Sequence, residues 1–174
     1  MKKKHFLKIM ALVFCAGLIS GCAIPQTVPQ VRADAAHSGF YETAHFVVDR
    51  PYVDVARTFQ KETGRCLDVR INLVERTEPY GPAASRSAEI YHPKLSVSQT
   101  KLALSVQMRQ VGPGIFPYHM PKHGYYYLVL DASRFGRRKT AIDMYYAKHG
   151  DGPLIRAVRG WVTGRAIGCP DLAK

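Results

Sequence analysis

The chain has 174 residues, 47% hydrophobic and 22% charged, enough for a single domain with a sizeable core. Twenty-five basic residues against 13 acidic ones give a formal charge of +12, a balance that points toward anionic neighbours. The sequence holds no CxxC pair and no GxSxG, phosphate-loop or HExxH run, so no motif marks the chemistries those runs carry.

The chain opens with Lys2, Lys3, Lys4 and Lys8, followed by an uncharged apolar run over residues 9–21. Thirteen helical residues cover about 20 Å, short of a ~30 Å hydrocarbon core, so the pattern is an export signal and not a spanning helix. The run ends in Ile19-Ser20-Gly21-Cys22, which resembles the lipobox of bacterial lipoproteins. That resemblance implies cleavage before Cys22, which then carries two or three acyl chains. Two acyl chains already give stable anchoring. Ala23, where an aspartate would retain the protein at the inner membrane, implies the periplasmic face of the outer membrane. Cys15 falls in the removed segment. Residues 1–21 hold four of the basic residues and none of the acidic ones, so cleavage leaves 153 residues with a charge of +8. An exported lipoprotein does not meet nucleic acid. The anionic neighbours that remain are phospholipid headgroups, lipopolysaccharide phosphates and peptidoglycan carboxylates.

Residues 22–40 are rich in proline and in small and polar residues, without apolar periodicity. They read as a flexible tether, with one periplasmic domain over 41–174. Residues 43–48 (TAHFVV) suit a first strand. Asp49 and Pro51 suit a helix start, and Tyr52, Val55, Ala56 and Phe59 mark one helical face. Gly64 offers a left-handed stop just before Cys66. Residues 66–75 alternate as a half-buried strand, 79–88 read as a loop, and 88–91 as a short strand ending before Pro93. Residues 100–111 and 124–132 are strands separated by a long loop, and 140–148 closes a hairpin across the basic turn SRFGRRK. Pro153 opens a second helix with a face of Leu154, Ala157, Val158, Trp161 and Val162, which Gly168 ends. No internal repeat is visible.

These elements predict an α+β fold: an antiparallel sheet of four to six strands, two helices on one face, in β-α-β(n)-α order. Both helices end in a glycine followed closely by cysteine, TGRC and IGC. In an oxidising compartment this predicts a Cys66–Cys169 disulfide, made where the two helix C-termini lie side by side. The lipobox, the segment DRPYVDVARTF leading to Cys66, and the closing Trp161, Gly164 and Cys169 together resemble small proteobacterial outer-membrane lipoproteins of unknown function. The element order also resembles the helix-grip domains of lipoprotein accessory subunits, a likeness of fold alone.

No constellation of residues reads as catalytic. His119, Met120 and His123 lie within five residues and offer imidazole and thioether donors of the kind copper takes, but three donors on a proline-bearing loop are a weak set, and no metal or cofactor is expected. In the same loop, Phe116 and Tyr118 are apolar residues in a connection longer than a hairpin needs, suited to touching a partner. Arg134, Arg137, Arg138 and Lys139 form the densest basic cluster and suit an anionic surface such as lipid or lipopolysaccharide. The expected function is a lipid-anchored, non-enzymatic binding or scaffold domain of the cell envelope. A carrier of small apolar ligands or lipids, and a wall- or lipid-modifying enzyme, are the alternatives.

Overall fold

A computed structural model gives the fold and describes residues 24–25, 27–37, 39–75, 85–112, 121, 124–148 and 152–172. In chain order the elements are α1 (Val28–Asp34), β1 (Tyr41–Val48), α2 (Tyr52–Cys66), β2 (Val69–Glu75), β3 (Ser85–Val97), β4 (Lys101–Val111), β5 (Tyr125–Phe135), β6 (Lys139–Ala147) and α3 (Gly152–Thr163). The six strands form one sheet in the order β1-β6-β5-β4-β3-β2, with every pairing antiparallel. The chain starts at one edge, crosses to the other through α2, and meanders back until β6 pairs with β1. The α+β class and the antiparallel sheet are as the sequence suggests.

Alternation fixes the two faces of the sheet. Leu102, Leu104, Val106, Leu128, Leu130, Ile142 and Met144 point to the first face, each at most 1% exposed. There they meet Phe59 of α2 and Leu154, Val158 and Trp161 of α3 in one core. Phe59 and Trp161 stack edge to face at 5.9 Å, the geometry aromatic quadrupoles favour.

The helix count and their placement differ from expectation. Among the described residues there are three helices, not two, and the first, α1, lies within the segment that reads as a tether. It packs on the second face, where Val31 meets Tyr41, Val129 and Ala147. Thr27 caps it, its side chain accepting from the Gln30 amide. The Arg32 guanidinium donates to both carboxylate oxygens of Asp131 on β5, at 2.9 and 2.8 Å. Seven residues with one fully buried apolar side chain show no periodicity, so the helix is silent in sequence.

Smaller departures have local causes. Asp49 does not cap α2. Pro51 stands at the cap position, and Asp49 reaches Lys139 at 3.1 Å. The helix runs through Gly64 to Cys66. β3 continues past Pro93, because β2 pairs with β3 only as far as Tyr91. Beyond that point β3 has an open edge, where a missing N–H costs no ladder bond. α3 ends at Thr163, with Gly164 at φ 80° as its stop in place of Gly168.

Candidate functional site

The Cys66–Cys169 disulfide is present, with Cα atoms 5.0 Å apart. Its route is not the expected meeting of two helix ends. The carbonyls of Trp161 and Val162 at the end of α3 accept from Arg50, at the start of α2. The same guanidinium donates to the Asp54 carbonyl at 3.1 Å and to Thr58 Oγ1 at 2.7 Å. Arg50 thus ties the C-terminal carbonyls of α3, which are orphaned at any helix end, to the first turns of α2. The chain from Gly164 onward then runs back along α2 to deliver Cys169 to Cys66. Trp161 Nε1 donates to the Ile167 carbonyl at 3.3 Å and holds this return segment down. The sequence marks the disulfide through its cysteines. Arg50, one arginine among many, carries no signal of its clamp role.

Arg134, Arg137, Arg138 and Lys139 sit at the β5–β6 turn, all exposed. This turn adjoins the β3–β4 turn, where the Arg134 amide donates to the Thr100 carbonyl at 3.1 Å. Lys101 is exposed on the adjoining strand. The end of the sheet is therefore densely cationic, and Asp49 offsets only Lys139. Beside it, a cleft of about 430 Å³ opens between α2 and the β3–β4 turn. Tyr52, Ala56 and Val97 give it an apolar wall, and Arg57 and Arg134 stand at its rim. A second cleft, of about 390 Å³, lies between α2 and the return segment and contains Glu62, Lys61, Arg65 and Arg165. Glu62 is 9% exposed, and Arg65 donates to its carboxylate.

Cys22, and the loop residues Phe116, Tyr118, His119, Met120 and His123, lie outside the described residues. Among the described residues, no group of three histidine, cysteine or acidic side chains is placed to hold a metal ion. No helix among them is long and apolar enough to cross a membrane.

One pair that sequence does not reveal is His45 with Asp143, Nδ1 to Oδ1 at 2.7 Å. That is the geometry of a base held by an orienting acid. Both side chains are about half exposed, at 57% and 51%, on an open sheet surface. Their register neighbours Thr43, Val47, Ala141 and Tyr145 include no serine or cysteine nucleophile. The pair is a cross-strand hydrogen bond between two adjacent strands.

Buried tyrosines gather at the opposite end of the sheet. Desolvation holds Tyr41 well above the usual phenol range, with the Asp34 and Tyr126 charges adding to the shift. Burial likewise raises Tyr125, with Tyr127 as the next cause. The Tyr41 hydroxyl donates to the Tyr126 carbonyl at 2.9 Å. These phenols stay protonated and serve packing, in contrast to the cationic end.

No protein-family model, curated protein or solved structure matches the chain.

Proposed function

We propose that the protein is a lipid-anchored component of the cell envelope, held at the periplasmic face of the outer membrane, and that it works by binding as a scaffold or accessory domain without catalysing a reaction. The observation that carries this reading is the docking of α1 on the sheet, six residues after Cys22. Six residues span at most about 20 Å. Acylation at Cys22 would hold the whole domain against its membrane, where it would be placed to contact envelope components. The filled core between helices and sheet supports a rigid contact module more than a carrier with an internal cavity.

The test has two arms. Intact mass and fractionation of the protein purified from membranes should show an acylated Cys22 and outer-membrane recovery, both lost in Cys22→Ser. A mature, unacylated protein in the soluble periplasm overturns the anchor. Crosslinking in cells followed by capture should then recover one envelope protein repeatedly, and recovery of nothing above background overturns the scaffold.

A second reading rests on the 430 Å³ cleft, whose apolar wall and arginine rim suit a small anionic amphiphile. Ala56→Trp would fill it. Loss of a co-purifying lipid from that variant in native mass spectrometry favours this reading over the scaffold.

A further inference from the structure

The two faces of the sheet are treated differently. The first is roofed by α2 and α3. Among the described residues, the second carries only the seven residues of α1, packed on β5. Ala103, on the central strand β4, is exposed on this second face, so α1 leaves most of it open. The uncovered area has a definite chemistry. Lys94, Lys101, Arg109 and Lys139 project from it, all exposed. Its two strand carboxylates, Asp131 and Asp143, are engaged by Arg32 and His45. Two large apolar side chains are exposed at the same end, Val47 at 48% and Phe135 at 56%. Phe135 pairs in register with Lys139 at the hairpin tip, so an aromatic ring is ringed by the cations of the turn. Cations around a protruding aromatic form the signature of interfacial membrane contact.

Charge alone does not choose this face, because the helix layer is basic too. There Arg57 is matched by Asp54, and Lys61 and Arg65 bracket Glu62, just as Lys139 on the second face is matched by Asp49. The anchor decides. The chain reaches Val28 on the second face, at most about 20 Å from Cys22. A helix layer, a sheet and α1 together measure roughly 30 Å, with each helix about 10 Å across. Turning the helix layer toward the bilayer would require the short link to travel around the molecule, and Pro25 within it is itself buried.

We infer that the α1-bearing face of the sheet docks on an anionic bilayer, with Lys94, Lys101 and Arg109 against lipid phosphates and Phe135 entering the headgroup layer. This rests on the anchor reading given above.

The test uses the full chain purified from membranes, in vesicles of phosphatidylglycerol and phosphatidylcholine with brominated acyl chains. Phe135→Trp and Val53→Trp place reporters on opposite sides of the molecule, since Val53 is 53% exposed on α2. The native Trp161, 1% exposed, is a constant background. Quenching several-fold stronger at position 135 than at position 53, and reduced at least twofold by the combined change Lys94→Glu, Lys101→Glu and Arg109→Glu, is the expected result. Equal quenching, stronger quenching at position 53, or none at either overturns the docking face. Circular dichroism confirms that each variant is folded, and Phe135→Leu serves as a second reporter-free variant whose vesicle recovery falls less than that of Phe135→Ser. Intact mass reads acylation separately, so an unacylated protein sinks the anchor while the same quenching still decides the face. Loss of a crosslinked envelope protein in the charge variant, without quenching at position 135, makes the face a protein contact and overturns its assignment to lipid.

Discussion

Two glycines that look alike in sequence carry opposite expectations. Gly64 lies within α2, and an added Cβ would meet nothing within 4 Å. Gly64→Ala should therefore raise stability by about 0.5–1 kcal/mol through helix propensity. Gly164 stops α3 at positive φ, and its added Cβ would stand 3.3 Å from Arg50 Nε. Gly164→Ala should cost about 1–2 kcal/mol and disturb the arginine clamp as well. Paired urea titrations at equal slope give both signs, and like-signed shifts would mean the helix ends elsewhere. The buried phenols add a pH dependence. Tyr41 and Tyr125 are raised by burial above their unfolded value of about 10. Above that pH the unfolded chain binds fewer protons than the folded one, so stability falls as pH rises from about 10 toward the folded values. Below pH 9 these groups contribute no slope. Tyr41→Phe should cost about 1 kcal/mol at pH 7, for the lost hydrogen bond to Tyr126, yet flatten the alkaline decline. A decline of unchanged steepness would show that Tyr41 does not drive it.

At the scale of elements, α1 tests whether the chain after Cys22 is a tether or part of the domain. Asp131 and Asp143 stand directly opposite each other on β5 and β6, a like-charged pair that destabilises a sheet. Arg32 offsets it from above. Arg32→Ala should cost about 1 kcal/mol, the pair being partly exposed, and should speed amide hydrogen exchange over residues 28–34 more than over β4. Uniform acceleration would mean that α1 is not a separate unit. How far such elements are legible follows from their length and burial. α2 reads directly because Tyr52, Val55, Ala56, Phe59 and Cys66 lie on one buried stripe through about four turns. β4 reads because Leu102, Leu104, Val106 and Met108 alternate without a break. α1 does not read, because it is held by distant partners: Val31 packs on Tyr41, Val129 and Ala147, and Arg32 bonds Asp131, 99 positions away. The extension of β3 past Pro93 does not read either, because the open edge that tolerates proline is a property of the assembled sheet. The same holds for the docking face. Lys94, Lys101 and Phe135 are unrelated in sequence and share a surface only through strand register, whereas the turn cluster Arg134–Lys139 is visible as a run.

For the molecule as a whole, the disulfide is a statement about closure. It joins residues 103 positions apart, enclosing β2 through β6 and α3 in one covalent loop, with α1, β1 and α2 up to Cys66 outside. In the chain-entropy account a loop near 100 residues contributes about 4.7 kcal/mol, and native bridges deliver about 2–5 kcal/mol. The return segment makes the upper part of that range the expectation here. Between Gly164 and Cys169 it is held by Trp161 Nε1 and by the fit of Ile167 against Gly160, where any Cβ would come within 2.1 Å. Without the bridge, this segment is held mainly to α3, by Trp161 Nε1 and by the Arg165 amide donating to the Gly160 carbonyl, and its detachment ends its contact with Trp161. Cys66→Ala with Cys169→Ala should lower stability by about 3–5 kcal/mol in urea titration. It should also raise near-ultraviolet signal loss at Trp161 before the sheet melts, because the tail detaches ahead of the core. A loss under 1 kcal/mol with a single coincident transition would mean that packing alone holds the segment. In that case the bridge would not secure the fold.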